Sequence, residues 1–347
     1  MDQRRTRNMT WTPAEVDRLS AWMATHVAGF SGPLTVARLA GGQSNPTYRL
    51  TTPRADYVLR RRPLGPVLPS AHAVDREFRV MAALHGSGVP VPRVLALCTD
   101  TSVTGSMFFV MDLVPGRVFY DPRLPGFTPP ERAAVFDDLN RVIAALHVQD
   151  PEALGLADYG RPGAYAERQI ARWTKQYRAS QTLAIPAMES LIDWLPRHAP
   201  RHNETRVVHG DYRLDNVILH PTEPRIVAVL DWELSTLGCP LTDFANHMMS
   251  WHVAPDLFRG LAGEDLAALG IPGEIAYRQL WLDRTGHAAP ESWNFYFALA
   301  LFRMAAIMQG IARRALEGTA ANSDAAIVGA KAVPMAVLGW RIAQQDV

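Results

Sequence analysis

The hydrophobic and polar positions divide the chain into a strand-rich front part and a longer helical remainder. Thr12 and Glu15 bracket a helix start with Pro13 at the first helical position, and this helix is expected to run to about His26. Short alternating or β-branched segments then predict antiparallel strands at 34–40, 47–52, 56–62, 91–99 and 106–114. Residues 71–88 carry apolar side chains at helical spacing and end in glycines, which predicts a helix inside this strand region.

From Thr128 onward the helical period dominates. The predicted helices are 128–147, 163–179, 186–198 and an amphipathic segment from about 325 to 344, while VILH and RIVAVLD predict a hairpin around PTEP. We therefore expect an α+β, bilobal chain. A small antiparallel-sheet lobe occupies residues 1–112, a larger mainly helical lobe occupies 113–347, and Met111–Gly116 links them.

Composition excludes several classes of protein. With 48% hydrophobic and 20% charged residues and a net charge of +1, the chain is expected to be globular, with neither nucleic acid nor a membrane surface as partner. Cys98 and Cys239 lack metal-ligand spacing, and no apolar run follows the charged N-terminus, so we expect a reduced, cytoplasmic protein. The apolar stretch 295–308 is too short to cross a bilayer and predicts a buried core helix. The oligomeric state stays open.

A cluster of polar residues, HGDYRLDN, lies between two apolar runs at 209–216. Asp211 and Asn216 have the five-residue spacing of the kinase catalytic loop, and the predicted hairpin returns the chain to Asp231. Phosphoryl transfer needs a carboxylate at the attacking hydroxyl and hard oxygen ligands for Mg²⁺. We therefore predict Asp211 as the catalytic base and Asn216 with Asp231 as the metal ligands, in preference to three residues that only cap backbone amides.

The neighbours of these residues receive other roles. His209 is expected to hydrogen-bond the loop or the backbone at Asp231 rather than to transfer a proton. Arg213 and Asp215 are interpreted as solvated or as pinning the loop. Glu233 either assists the metal or lies on the surface. Asp243, in PLTDFANHM, is expected to cap a helix and to brace the catalytic loop.

The strand-rich lobe is expected to bind a nucleotide. The turn AGGQSNPTY places Gly42, Gln43, Ser44 and Asn45 between two strands, where backbone N–H groups could meet phosphates, although an ordinary β-turn explains it equally well. The backbone of 109–113, including Met111 and Leu113, is the predicted partner of adenine.

A nucleotide-binding lobe of this kind also needs a cation, and no lysine precedes Lys175. Arg60 in YVLRRRP is the matching residue, with Glu77 of helix 71–88 as its partner. The adjacent Arg61 and Arg62 are interpreted as a solvated strand end.

These motifs resemble the aminoglycoside phosphotransferase and choline-kinase-like family, which shares the protein-kinase fold. HGDYRLDN and VLDWE are similar to its catalytic loop and metal-binding segment. The resemblance implies an ATP-dependent kinase that transfers phosphate to an alcohol group, with Asp211 as base, Asn216 and Asp231 on Mg²⁺, and Arg60 with Glu77 positioning the phosphates.

A closer resemblance runs through nearly the whole chain. It rests on GGQSNPTYRL, YVLRRRP, AHAVDREFRVMAAL, GLADYG, RQIARWTKQY, AVLDWELSTLG and FRMAAIMQGIARR. These segments are similar to the kinase-like domain of acyl-CoA dehydrogenase family members ten and eleven and to free-standing bacterial relatives. The resemblance implies a hydroxyacyl-CoA as acceptor, and arginine in place of lysine is usual in that subfamily.

Several alternatives stay open. Arg168, Arg172 and Lys175 form a basic stripe that could meet CoA phosphates, although a solvated helix face is favoured. An aminoglycoside or another amino alcohol is the alternative acceptor, and the ATP-versus-GTP preference is undecided. A nucleotide-binding pseudo-enzyme or an interaction scaffold is the alternative to an enzyme. Mg-ATP binding without turnover would favour the first, and absence of Mg-ATP binding the second.

Overall fold

A computed structural model describes residues 11–39, 45–64, 72–200, 204–320 and 323–345. The chain divides into two compact units, one formed by Met1–His85 with Val91–Pro115 and the other by Gly86–Pro90 with Gly116–Val347. The division between Pro115 and Gly116 lies three residues after the predicted end of the first lobe, within the expected linker.

The first unit is built on an antiparallel sheet. In the described residues its strands are β1 Thr35–Arg38, β2 Thr47–Thr51, β3 Asp56–Arg61, β4 Val94–Cys98 and β5 Phe108–Asp112, in the order β1-β2-β3-β5-β4. Its helices are α1 Pro13–His26, α2 Val74–Leu84 and α3 Thr101–Thr104. All five predicted strands and the two predicted helices are confirmed, each shorter than or equal to its predicted range.

Helix α1 begins where the sequence predicts. The Thr12 side chain accepts a hydrogen bond from the Glu15 backbone, and the Glu15 carboxylate accepts one from the Thr12 backbone at 2.8 Å. Its apolar residues Leu19 and Met23 are fully buried in the core of this unit. The sheet supplies the other large members of that core, namely Tyr48, Leu50, Tyr57, Leu59, Phe108 and Val110.

The second unit is mainly helical. Its helices are α4 Pro129–His147, α5 Tyr165–Ser180, α6 Pro186–Arg197, α7 Pro240–Met248, α8 Pro255–Phe258, α9 Leu266–Leu269, α10 Glu274–Thr285, α11 Asn294–Leu316, α12 Ala325–Ala330 and α13 Ala332–Ala343. Helix α11 packs against α5, α6, α7, α12 and α13. The most apolar window of α11 is 78% buried, so the predicted core helix is confirmed. The predicted C-terminal helix is divided in two at Lys331, and its most apolar window is 39% buried.

Two short antiparallel pairs hold the polar cluster of the second unit. Strands β7 Val217–Leu219 and β8 Ile226–Val229 form the predicted hairpin. Strands β6 Arg206–Val208 and β9 Thr236–Gly238 also pair, and the sequence pattern did not predict this. The segment 209–216 therefore begins where β6 ends and stops where β7 begins, so both of its ends are fixed by backbone pairing.

Candidate active site

Asp243 anchors the start of the catalytic-loop candidate 209–216. Its Oδ2 accepts a hydrogen bond from the His209 backbone N–H and its Oδ1 one from the Gly210 N–H, each at 2.8 Å. The His147 Nε2 lies 3.2 Å from the same carboxylate. Burial raises the pKa of the fully buried Asp243 carboxyl, but the interactions with His147 and His209 lower it by more. The pKa of Asp243 is therefore below its ordinary value.

Asp243 therefore braces the loop, as the sequence predicts. The prediction that it caps a helix is wrong, because the N-cap of α7 is Cys239. Asp243 lies one turn inside that helix, which directs its carboxylate at the loop amides rather than at the amides of its own first turn.

His209 links the loop to the strand that precedes Asp231. Its Nδ1 accepts a hydrogen bond from the Asp211 backbone N–H at 3.2 Å. The Nε2 must then carry the ring proton, and it donates to the Leu230 carbonyl at 2.9 Å. Both ring nitrogens of this buried side chain are engaged with backbone, so the predicted hydrogen-bonding role is confirmed.

The three residues predicted to carry the chemistry lie on segments that are bonded to one another. The Asn216 Nδ2 donates to the Asp211 carbonyl at 2.8 Å and to its carboxylate Oδ2 at 3.1 Å. The Leu230 backbone N–H donates to the Asn216 carbonyl at 2.8 Å. Asp231 follows in the left-handed conformation, with φ 65° and ψ 57°, which turns the chain sharply after β8.

This arrangement suits a hard divalent cation that is shared with a ligand. The Asn216 amide nitrogen is committed to Asp211, so its Oδ1 is the atom left to bind a cation. Together with the Asp231 carboxylate it offers the oxygen ligands that Mg²⁺ prefers. Within the described ranges no group of three His, Cys, Asp or Glu side chains is placed to hold a metal. In proteins Mg²⁺ is commonly held by one or two protein oxygens together with phosphate oxygens of a substrate, and the pair offered by Asn216 and Asp231 is of this kind.

Two arginines flank the Asp211 carboxylate. Arg213 Nη2 lies 3.2 Å from Oδ2, and Arg303 Nη2 lies 3.9 Å from Oδ1. The Arg303 guanidinium stands over the Trp173 ring, 5.4 Å from its centroid, and its Nη1 donates to Asn246 Oδ1 at 3.1 Å. The sequence analysis assigned Arg303 no role. The sequence does contain a sign of such a role, because Arg303 is a charged residue inside the most apolar stretch of the chain, where a buried cation needs a partner.

Two roles were considered for Arg213 and Asp215, namely exposure to solvent or pinning of the loop, and the structure shows that they pin the loop. Asp215 is 10% exposed, accepts a hydrogen bond from Arg213 at 3.3 Å and pairs with Arg259. It is therefore not a solvated residue. Glu233 is half-buried in the short 3-10 turn Trp232–Leu234 that follows Asp231, and a role on the metal stays a prediction.

In the first unit Arg60 and Glu77 form a buried ion pair. Arg60 Nε lies 2.8 Å from Glu77 Oε2, and Glu77 is 1% exposed. The Asn45 Nδ2 donates to Glu77 Oε1 at 2.8 Å, and His72 Nδ1 lies 3.0 Å from Asn45 Oδ1. The predicted pair is thus formed, and the Asn45 side chain supports it, while the contact of the Asn45 backbone N–H with phosphates stays a prediction.

One further sequence interpretation of this unit needs correction. Arg61 is not solvated but 2% exposed, because its guanidinium donates to the Thr104 carbonyl at 2.9 Å and lies over the Trp11 and Tyr48 rings. Met111 lies in β5, which pairs with β3 and β4, and its contact with adenine stays a prediction.

Leu113 is the first residue after β5, so of the two predicted adenine contacts it is the one whose backbone lies outside the sheet. Gly42, Gln43 and Ser44 lie outside the described residues.

The basic stripe on α5 does not act as a unit. Arg168 bonds the carbonyls of Arg161, at 2.7 Å, and of Gly163, so it holds the loop that precedes its own helix. Arg172 and Lys175 are exposed. The solvated interpretation holds for these two positions.

A family model described as the phosphotransferase enzyme family matches residues 35–291, which is most of the chain. The chain belongs to this family. It is a phosphotransferase, and the resemblance seen in HGDYRLDN and VLDWE is confirmed.

Curated relatives confirm the closer resemblance. Mouse acyl-CoA dehydrogenase family member 10 is 44% identical over 330 residues, a match covering 94% of this chain and 31% of that protein. Human acyl-CoA dehydrogenase family member 11 is 39% identical over 336 residues, covering 94% of this chain and 43% of that protein. The chain therefore spans less than half the length of the curated relatives it matches.

Solved structures establish the fold. A protein from Ralstonia eutropha, described as a candidate aminoglycoside phosphotransferase, is 54% identical with a TM-score of 0.88, covering 95% of this chain and 98% of that one. An aminoglycoside phosphotransferase in ternary complex with AMP-PNP and hygromycin B has a TM-score of 0.62 at 16% identity, covering 96% of this chain and all of that one. The predicted protein-kinase-like fold is confirmed.

Proposed function

We propose that the protein transfers the γ-phosphoryl group of Mg-ATP to the hydroxyl of a small molecule, and that hydroxyacyl-CoA is its acceptor class. One observation carries this proposal. Asn216 holds the Asp211 carboxylate at 3.1 Å, while Leu230, next to Asp231, is bonded to both His209 and Asn216. A base and two oxygen ligands held on mutually bonded segments are what phosphoryl transfer requires of a protein.

In the proposed reaction Asp211 accepts the proton of the acceptor hydroxyl while the oxygen of that hydroxyl forms a bond to the γ-phosphorus. The bond from that phosphorus to the bridging oxygen breaks, which gives ADP and a phosphate monoester. Asn216 Oδ1 and the Asp231 carboxylate would hold Mg²⁺, which when bound neutralises phosphate charge. Arg60, kept in place by Glu77 at 2.8 Å, is proposed to contact the nucleotide phosphates.

The surroundings of the base favour an anionic acceptor over an aminoglycoside. Arg213 and Arg303 both lie within 4 Å of the Asp211 carboxylate, and a polycationic acceptor would be repelled by them. The curated relatives, which are named acyl-CoA dehydrogenases, support an acyl-CoA compound as the acceptor. Free, buried Cys98 and Cys239 support a reducing, cytoplasmic location for this activity.

A coupled ADP-release screen tests the proposal. The acceptors are 3- and 4-hydroxyacyl-CoAs, aminoglycosides, choline and sugars, each with Mg²⁺ and either ATP, which releases ADP, or GTP, which releases GDP. We expect ADP release with a hydroxyacyl-CoA and none above background with the other classes. If only an aminoglycoside gave ADP release, the acceptor assignment would be wrong. If Mg-ATP bound but none of the acceptors gave ADP release, the protein would be a pseudo-enzyme. Absence of Mg-ATP binding would identify a scaffold.

A further inference from the structure

Four side chains of the first unit form a continuous line of contacts that ends at Arg60. His72 Nδ1 lies 3.0 Å from Asn45 Oδ1, and Asn45 Nδ2 donates to Glu77 Oε1 at 2.8 Å. The other oxygen of this carboxylate, Glu77 Oε2, lies 2.8 Å from Arg60 Nε. Asn45 is 0% exposed, Glu77 1% and Arg60 9%. Contacts at this depth are little screened by water and ions, so each of them affects its neighbours in the line.

The direction of each hydrogen bond in this line is set by Glu77. A carboxylate paired with an arginine only accepts, so the Asn45 amide turns its NH₂ group to Glu77 and its Oδ1 to His72. Because an amide oxygen also only accepts, the His72 Nδ1 must carry a proton and donate it to Asn45. Hydrogen bonds therefore run from His72 through Asn45 to Glu77, and a side chain without this pattern of donors and acceptors interrupts them.

Backbone pairing places Asn45 beside Arg60. Thr47 is opposite Arg60 in the register of β2 and β3, and its hydroxyl donates to the Asn45 carbonyl at 3.1 Å. The Arg61 N–H donates to the Pro46 carbonyl at 2.9 Å. The strand that carries Arg60 thus fixes the backbone on both sides of the Asn45 carbonyl, while the Asn45 side chain bonds a residue of α2.

His72 ties the beginning of α2 to the same asparagine. It lies just before this helix in the left-handed conformation, with φ 63°, and the Val74 N–H donates to its carbonyl at 3.0 Å. This conformation is uncommon for histidine and persists where the surroundings hold the residue. The bond to Asn45 is such a contact. Asn45 therefore holds both the segment that begins α2 and the carboxylate that α2 presents to Arg60.

The position of Glu77 determines how Arg60 is oriented. Arg60 approaches the carboxylate with Nε, and the four other N–H donors of a guanidinium are on its two Nη groups. These groups form the edge that binds a phosphate with two donors. A shift or rotation of the Glu77 carboxylate takes Nε with it and turns that edge.

We propose that Asn45 and His72 are positioning residues for the nucleotide. They fix the Glu77 carboxylate and, through it, the orientation of the Arg60 guanidinium toward the phosphates of a nucleoside triphosphate. The inference rests on the proposed contact of Arg60 with these phosphates. It gives the Asn45 side chain a task that is separate from any contact of its backbone N–H with phosphate.

An exchange of chemical groups between positions 45 and 77 tests the inference. Asn45→Asp is nearly isosteric but replaces the donor with a second carboxylate facing Glu77. In the double variant Asn45→Asp/Glu77→Gln, the amide introduced at position 77 donates to the carboxylate introduced at position 45 and turns its oxygen to Arg60. The charge and the hydrogen bond are then both restored. Asn294→Asp is the matched control, because Asn294 also donates through Nδ2 at 2.8 Å, to the Gln345 carbonyl in the second unit.

We expect Asn45→Asp to weaken Mg-ATP binding about tenfold or more, since two like charges displace Glu77 from Arg60. The kcat at saturating Mg-ATP should change by no more than about threefold, because the catalytic loop belongs to the second unit. The double variant should recover most of the lost affinity, and Asn294→Asp should bind like the wild type. Calorimetry gives the dissociation constants and ADP release gives KM and kcat. Urea unfolding shows that each variant is folded.

A second pair of variants separates the donor of His72 from its bulk. His72→Gln keeps an N–H donor for Asn45 Oδ1, whereas His72→Phe keeps a planar ring and has no donor. Both side chains carry a β-carbon at the same left-handed position, so they disturb the backbone equally. We expect His72→Phe to weaken Mg-ATP binding about threefold or more and His72→Gln to weaken it by less than about twofold.

Three results would overturn the inference. They are wild-type Mg-ATP affinity in Asn45→Asp beside weakened affinity in Arg60→Lys, a double variant that binds no better than Asn45→Asp, and equal weakening by His72→Gln and His72→Phe. The first of these results keeps the contact of Arg60 with phosphates. Unchanged affinity in both Asn45→Asp and Arg60→Lys would reject that contact and the inference with it. Mg-ATP binding that depends on Asn45, without ADP release for any acceptor, would keep the inference and reject phosphoryl transfer.

Discussion

Asp243 accepts hydrogen bonds from two successive backbone amides, those of His209 and Gly210, through its two different carboxylate oxygens, each at 2.8 Å. Gly210 has φ +81°, and a Cβ there would lie 2.7 Å from the Leu234 carbonyl oxygen. The start of the catalytic loop is therefore shaped by one buried carboxylate and one obligatory glycine.

Asp243→Asn should disorganise this loop. Asparagine offers one acceptor oxygen, so one of the two amides would face an NH₂ group and lose its partner. We expect a loss of about 2–4 kcal/mol in the free energy of unfolding and a fall in kcat of at least about 100-fold. Urea unfolding and ADP release measure the two effects. Asp265→Asn is the control, since Asp265 only caps α9; equal activity in the two variants would reject the bracing role.

His209→Gln separates a structural role from a chemical one. Because both ring nitrogens are bonded to backbone, we expect kcat to fall about tenfold with the shape of the pH–rate profile unchanged. The measurement is kcat/KM between pH 5 and 9 for both proteins. A profile that loses its acidic limb in the variant would show that His209 takes the proton.

The sequence predicted most elements that surround the site, for reasons that are local. The capping box at Thr12, the alternation in β2 and the apolar period of α4 each depend on neighbouring residues. The spacing of Asp211 and Asn216 and the hairpin to Asp231 are also local; Asn216 contacts Asp211 and the hairpin forms, as expected.

What the sequence did not predict depends on contacts between distant segments. The pairing of β6 with β9, the role of Arg303 beside Asp211, and the contact of Arg259 with Asp215 join residues dozens of positions apart. Arg61 was misinterpreted for the same reason: the rings and the carbonyl that bury it come from Trp11, Tyr48 and Thr104. The hydrophobic period and the secondary-structure propensity of a segment carry no information on partners from other parts of the chain.

Arg60→Lys should weaken nucleotide binding. Lysine keeps the charge but not the planar fork that both pairs with Glu77 and presents further donors. We expect the KM for ATP to rise about tenfold with a smaller change in unfolding free energy. Complete removal of the cation would leave Glu77 buried without it at a cost of about 3–5 kcal/mol, so lysine is the cleaner change.

The matched control for this change is Arg49→Lys, an exposed arginine of the adjacent strand β2 that pairs with Asp56. An ATP KM that is equal in Arg60→Lys, Arg49→Lys and wild type would contradict a role for Arg60 at the phosphates.

His247 should make the fold less stable in mild acid. Burial lowers its pKa to about 4, below the ordinary 6.5. The unfolded chain therefore binds more protons between these values. The stability that neutral His247 contributes is fully present above about pH 6.5, and up to about 3 kcal/mol is lost as the pH falls toward 4.

Urea unfolding at a series of pH values measures this loss. His247→Gln keeps an amide that can bond the Tyr277 hydroxyl, which lies 2.8 Å from His247 Nε2, and should flatten the dependence. Burial also lowers the pKa of His252 and His287, so part of the slope should remain. An unchanged slope in the variant would contradict the assignment.

Asp231→Ala should remove one of the two proposed protein ligands of Mg²⁺. We expect ATP affinity in the variant to lose its dependence on Mg²⁺, because Asn216 alone offers a single neutral oxygen. Calorimetric titrations of ATP with and without Mg²⁺ measure this dependence. If magnesium strengthened ATP binding equally in the variant and the wild type, Asp231 would not be a ligand.

The identity of the base is tested most directly by Asp211→Ala, measured as ADP release at saturating Mg-ATP and acceptor beside calorimetric Mg-ATP affinity. The account predicts that Mg-ATP affinity stays within about threefold while kcat falls by about 1,000-fold or more, since the proton acceptor is lost but the metal ligands remain. Turnover within a few-fold of the wild type would contradict it.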